Sequence, residues 1–332
     1  MKSGKLTPEE LRVAVFDKVT FVRPETLVTA AIGEDSAVLD LAGDLCVVST
    51  DPITGATAGA GRLAVLVSCN DVATTGAEPV GLLLTILAPI GTKLQQIADV
   101  MESAAQASAQ LGVQIIGGHT EVTAAVNQMV LSTTVIGRVK PDKLLSVSLT
   151  RPGAELIMVR TAGLEGTAII AADHKASLVG FMDEDMISRA ASLAEEISVV
   201  QACRVAADSG AQAMHDVTEG GVLGAAYEMA QAAGLTLHLR KDIPVHPLTR
   251  VLCDGLGLDP LKLISSGTLL VASMDAEKTM TALHCASYPA FHIGCFSPGP
   301  AQVWLGNQLL AEPESDELWR FKSRLAGDHG ES

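Results

Sequence analysis

The sequence predicts a mixed α/β (α+β) chain of two domains. Three observations carry that prediction. Apolar runs of strand length alternate with longer amphipathic stretches, a strong turn signal falls near the middle, and the large apolar fraction is almost free of aromatic residues. The chain has 332 residues, 48% apolar and only 3% aromatic. That length is enough for two cores. They have to be built from Ala, Val, Leu and Ile, as where helices pack on sheets.

In the first half, Ala37–Leu41 and Leu45–Ser49 read as strands joined by the turn Ala42-Gly43-Asp44. A helix is expected from about Gly61 to Thr75, then a strand over Val80–Leu87. Thr92–Leu111 is a long amphipathic helix, with Thr92 as its cap and Gly112 as its stop. Val113–Ile116 and Met129–Ile136 complete the sheet. Arg151-Pro152-Gly153 is the clearest punctuation, so the domains are placed at 1–150 and 151–332. In the second half, Glu155–Val159 is a strand, and Gly163-Leu164-Glu165-Gly166-Thr167 leads into a helix. Met186–Ile197, Val199–Ser209 and Val222–Ala233 read as helices. Ala211–Met214, Leu235–Leu239, Thr268–Ala272 and Val303–Leu305 read as strands. The tail from Gly327 is expected to fray.

Composition excludes several function classes. A formal charge of −15 argues against a polyanionic partner, and scarce aromatics argue against a stacking platform for single strands. Neither argues against ATP, whose phosphates can arrive bound to metal. No apolar run reaches the roughly 18 residues that would span a bilayer. The start reads as a helix beginning, with Thr7 as cap, Pro8 at the first position and Glu10 closing a capping box, so a cytoplasmic location is expected. The six cysteines form no C-x-x-C pair. His284, Cys285, His292 and Cys295 are close in sequence, but their spacing fits no standard zinc finger.

Four short acidic segments, each where an apolar run breaks, bear on function. They are Gly33-Glu34-Asp35-Ser36, Ser49-Thr50-Asp51-Pro52, Asn70-Asp71-Val72-Ala73 and Gly117-Gly118-His119-Thr120-Glu121. Convergent carboxylates repel unless a cation lies between them, and an oxygen-only donor set suits Mg²⁺ before Zn²⁺. Taken singly, Asp35 and Asp51 also fit ordinary turn acids. Asn70-Asp71 is odder, because it sits in the apolar helical pattern that Leu63-Ala64-Val65-Leu66-Val67 sets, where an unpaired Asp is costly to bury. Gly117–Thr120 after a strand fits a phosphate-holding turn, though no Walker Lys follows. It fits a plain tight turn equally well, with His119 and Glu121 as a loop salt bridge. His215-Asp216-Val217-Thr218-Glu219-Gly220-Gly221 runs from strand to helix, and its two glycines suit an anion at the helix start. The bland alternative is a helix entry capped by Thr218. Ser265-Ser266-Gly267-Thr268 is a similar small-residue turn.

In order, these segments resemble the aminoimidazole-ribonucleotide (AIR) synthase-related, PurM-like superfamily. They are most like its HypE-type hydrogenase maturation factors, through Asn70–Ala73 followed by Gly76-Ala77-Glu78-Pro79, His215–Thr218 before Gly220-Gly221, and Leu258-Asp259-Pro260-Leu261. The resemblance implies an N-terminal ATP- and Mg²⁺-binding domain whose strands form a barrel shared across a homodimer, and a C-terminal α/β domain. It implies Asp35, Asp51 and Asp71 as metal ligands and Asn70 as a phosphate or metal contact. Gly117, Gly118, His119 and Thr120 would line the phosphate loop, with His215 and Asp216 facing the cleft. The activity implied is ATP-dependent phosphoryl transfer or ATP-driven dehydration or ligation, on a small-molecule or protein-borne acceptor. An alternative is a nucleotide-binding assembly factor that turns over no free substrate. Two departures matter. No cysteine follows Cys295, whereas HypE proteins end in a reactive thiol, and Glu219 stands where they usually carry arginine.

Overall fold

The computed structural model describes residues 26–28, 34, 36–40, 43–54, 59–311 and 315–328. Contacts divide the chain into two compact units that part between Leu144 and Leu145, a few residues before the expected boundary. The shift has a local cause, because the short 3₁₀ turn Val147–Leu149 packs against elements of the second unit. Glu34, from the first acidic segment, also belongs with the second unit, and its carboxylate accepts from Ser146 Oγ at 2.6 Å.

The first unit is built on a six-stranded sheet. Its strands are β1 (Thr26–Val28), β2 (Ala37–Asp40), β3 (Leu45–Ile53), β4 (Glu78–Pro89), β5 (Gln114–Thr123) and β6 (Val130–Val139). They lie in the order β1-β2-β3-β6-β4-β5, antiparallel except for the β4–β5 pair. Two helices, α1 (Ala60–Thr74) and α2 (Leu94–Leu111), pack together, and α1 lies on the sheet against β3 and β6. The alternation on β3 and β6 sets the inner face: Leu45, Val47 and Ser49 on one strand, Leu131, Thr133, Val135 and Val139 on the other, are buried. Gly61 lets the helices cross closely, since a Cβ there would lie 2.2 Å from Val100 O. Thr92 is not the cap of α2; its hydroxyl bonds Pro89 O, and Gln96 accepts from Lys93 N at 2.9 Å instead.

The second unit holds a seven-stranded sheet ordered β13-β12-β9-β11-β7-β10-β8. The strands are β7 (Glu155–Val159), β8 (Ala211–Asp216), β9 (Thr236–Leu239), β10 (Leu269–Ser273), β11 (Ala290–Ser297), β12 (Gln302–Leu305) and β13 (Gln308–Leu309). The helices are α3 (Leu164–Asp173), α4 (Glu184–Ser192), α5 (Val200–Ser209), α6 (Gly221–Ala233), α7 (Pro247–Leu256), α8 (Ala276–Cys285) and α9 (Glu317–Asp328). One large core joins Leu156, Met158, Leu270 and Ala272 of the sheet to Val222, Ala226 and Met229 of α6. The expected helix Met186–Ile197 is α4 followed by a 3₁₀ turn, Leu193–Glu196. No helix among the described residues is long and apolar enough to cross a membrane.

Candidate functional site

Two of the acidic segments, Ser49–Pro52 and Asn70–Ala73, lie against each other on the inner side of the first unit's sheet. Helix α1 is buried along almost its whole length, so Asn70 (0% exposed) and Asp71 (5%) lie inside the protein. Ser49 of β3 donates its hydroxyl to Asp71 Oδ2 at 2.6 Å. Asp51 is two residues further along β3 and therefore on the same face, about 7 Å away along the strand. The Asp71 charge registers on its neighbour: burial, and then that charge, push the Cys69 thiol up to about 12. Cys69 is fully buried and packs as a small apolar group.

Across the ladder from Asp51 stands Thr133 of β6. It is fully buried, and its hydroxyl has no hydrogen-bond partner among the described residues. Two buried polar positions flanking the acids, Ser49 and Thr133, were thus missed from sequence. Ser49 could have been found by its two-residue spacing from Asp51, while Thr133 carries no motif. No three His, Cys, Asp or Glu side chains form a ready cage among the described residues. Asp71 and Asp51 are hard oxygen donors of the kind that would suit Mg²⁺. Asp35 lies outside the described residues, as do the Thr7, Pro8 and Glu10 of the expected first helix.

Gly117, Gly118, His119 and Thr120 are placed elsewhere, and not in a turn. They lie within β5, which runs seven residues beyond the expected strand end at Ile116. β5 is three strands from β3, about 14 Å at ordinary strand spacing. The glycines have a packing reason: a Cβ on Gly118 would fall 2.0 Å from Leu84 O, so only glycine lets β5 approach β4 there. His119 and Glu121 are exposed, with Nε2 and Oε2 3.6 Å apart, as the salt-bridge alternative has it.

In the second unit, His215 and Asp216 end β8 and are buried, at 3% and 1% exposure. His215 Nδ1 lies 2.7 Å from Asp216 O, and Nε2 lies 3.3 Å from Glu228 of α6. The amides of Gly220-Gly221, expected to suit an anion, bond within the chain itself. Gly220 N donates to Asp316 Oδ2 at 2.6 Å and Gly221 N to Thr218 O at 3.1 Å. The cap residue is Gly220, not Thr218. Asp316 also accepts from Leu318 N at 2.7 Å, and burial pushes its carboxyl up to about 7. Glu219 accepts from Trp319 Nε1 of α9 at 2.8 Å. Two acids near the end of the chain and before α6 therefore serve to dock α9. Glu165, in the first turn of α3, was also missed; it is buried, burial pushes it up, and it accepts from Ser266 N at 3.2 Å. The Ser265–Thr268 turn is likewise structural, Ser265 Oγ accepting from Gly163 N at 2.6 Å. His284 and His292 have Nε2 within 3.1 and 2.8 Å of the backbone carbonyls of Ala290 and Gly294.

The structure presents an α/β unit with a buried Asp on α1, followed by a second α/β unit, and the chain belongs to the AIR synthase-related family. Residues 33–139 match the family's N-terminal domain and residues 151–303 its C-terminal domain. Within that family the chain is similar to HypE proteins. It is 30% identical over 272 residues to carbamoyl dehydratase HypE of Rhodobacter capsulatus, covering 81% of this chain and 77% of the relative. A crystal structure of the hydrogenase maturation protein HypE in complex with ATP superposes with a TM-score of 0.71 at 25% identity, over 96% of this chain and 98% of that one. An AaThiL structure with AMPPCP and TMP shares the fold, with a TM-score of 0.75 at 16% identity over 95% and 99% of the chains. The expected two-domain PurM-like fold is therefore the observed one.

Proposed function

We propose that the chain is a Mg²⁺-dependent, ATP-using enzyme, transferring phosphate or driving dehydration or ligation at a small-molecule or protein-borne acceptor. The observation that carries this reading is the buried Asn70-Asp71 pair on α1, with Asp71 held by Ser49 on the strand that carries Asp51. A buried carboxylate one strand-step from a second one is costly unless it has work to do. The similarity to a HypE solved with ATP supports the nucleotide.

Phosphoryl transfer asks little covalent chemistry of a protein and much positioning and charge neutralisation. Asp51 and Asp71, with Asp35, would hold the cation, which bridges phosphates and neutralises their charge. Asn70 would contact phosphate or metal. Ser49 fixes the Asp71 carboxylate, so no rotamer has to be ordered when the nucleotide arrives. Gly117–Thr120 would reach phosphate only from a strand edge, which agrees with the homodimer we also propose. β5 pairs only with β4 among the described residues, and Ile116 and Val122 on it are each 52% exposed. A long edge strand with exposed apolar side chains calls for a cover, and a second copy would supply one. His215 and Asp216, buried with their partners, would position the second unit's helix start.

Asp71→Asn is the direct test. The substitution keeps shape and an acceptor for Ser49 while removing the charge, so the variant should fold as before and consume no ATP. Consumption at the wild-type rate would refute the role of Asp71.

A further inference from the structure

Thr133 sits in mid-strand on β6, 0% exposed, with its hydroxyl unpartnered among the described residues. An orphaned buried hydroxyl destabilises a protein, and valine would fill the same space without that cost. Sheet pairing does not need the hydroxyl. The Thr133 carbonyl accepts from Thr50 Oγ1 at 3.0 Å, and the strand is paired on both sides, with Asp51 opposite on β3 and Leu84 opposite on β4. Directly paired residues have Cβ atoms about 4.5–5.5 Å apart, so the Thr133 hydroxyl and the Asp51 carboxylate share one patch of the inner face. Two more buried hydroxyls have no partner among the described residues, Ser36 and Ser68, the latter three positions before Asp71 in the sequence.

We infer that the Thr133 hydroxyl is a positioning group of the cation site, donating to the Asp51 carboxylate when that carboxylate is turned to hold a metal-bound phosphate. The inference rests on the nucleotide reading above and adds a residue to it. Thr133 does not touch the reacting atoms; it acts through Asp51. The unfavourable state of its hydroxyl in the protein alone is then the cost of having the donor ready when the ligand binds.

The experiment compares wild type with Thr133→Val and Thr133→Ser, by thermal unfolding of the ligand-free chains and by calorimetric titration with AMPPCP and Mg²⁺. Thr133→Val should unfold at the wild-type temperature or above it, yet bind about tenfold more weakly, as expected for losing one hydrogen bond to a charged group. Thr133→Ser, which keeps the hydroxyl, should bind within about twofold of wild type. The inference is overturned if Thr133→Val binds as wild type does. A lower unfolding temperature for Thr133→Val also overturns it, because the hydroxyl is then structural. So does a loss of binding in Thr133→Ser equal to that in Thr133→Val, since shape would then be the cause. A wild-type chain that shows no Mg²⁺-dependent binding overturns the nucleotide reading itself, which separates that failure from the others.

Discussion

Ser49→Ala isolates the interaction on which the site is built. The substitution deletes one oxygen and leaves the methyl carbon in place, so the cavity term is small. What is lost is a 2.6 Å hydroxyl–carboxylate bond at a carboxylate only 5% exposed. A hydrogen bond to a charged group contributes about 1.5–3 kcal/mol, and the partner left behind is a poorly solvated carboxylate. We therefore expect Ser49→Ala to destabilise the protein by about 2 kcal/mol. The assay is urea unfolding in the presence of chelator, with Ser49→Ala, Asp71→Asn and the double variant forming a cycle. In the Asp71→Asn background the bond is between neutral groups, so the same deletion should cost about 1 kcal/mol or less. A loss under about 0.5 kcal/mol for Ser49→Ala, or an equal loss in both backgrounds, would refute the reasoning.

Gly118→Ala should destabilise by about 3 kcal/mol or more, because its Cβ would fall 2.0 Å from Leu84 O in the β4–β5 ladder; Gly117→Ala, whose nearest contact is the movable Leu83 Cδ2 at 3.2 Å, should be tolerated, and thermal unfolding compares them. His119→Ala should change stability by less than about 0.5 kcal/mol, since the pair with Glu121 is solvent-exposed, and calorimetry on the same variant reports separately on nucleotide binding. The docking of α9 should depend on pH. Burial raises the Asp316 carboxyl from 3.8 to about 7, so its contribution is full below the unfolded value and is lost as pH rises through about 7. Hydrogen-exchange protection of the Gly220 amide should therefore fall between pH 5 and 7 in wild type and lose that slope in Asp316→Asn; an unchanged slope in the variant would contradict the assignment.

Much of the first unit was legible because its signals are local. The strands β2, β3, β4 and β6 and the helices α1 and α2 follow apolar periodicity, and Gly112 ends α2 in the left-handed region at φ 72° as its position suggested. Asn70-Asp71 stood out in the sequence because an Asn-Asp pair in an apolar helix is costly to bury without partners. The glycine segment misled because Gly-Gly after a β run has two physical uses, a turn and a close strand approach. Only the neighbouring carbonyl of Leu84, thirty-four positions away, decides between them. Gly220-Gly221 was legible only in part for the same reason at longer range, because the carboxylate that accepts from the Gly220 amide lies ninety-six residues on. The helices α7, α8 and α9 and the strand β11 went unread. Phe291 and Phe296 beside His292 and Cys295 gave no clean alternation, and a bulge near Ile293 breaks the period. Thr133 was beyond reach altogether, since its meaning comes from its partner across the ladder.

The central claim is that the acids of the first unit hold a metal-bound nucleotide. Calorimetric titration of the purified chain with a non-hydrolysable ATP analogue, first with Mg²⁺ and then with chelator, tests it most directly. The account predicts one binding event per chain that requires Mg²⁺ and disappears in Asp71→Asn. Binding that is indifferent to chelator and to Asp71, or no binding in either condition, would contradict it.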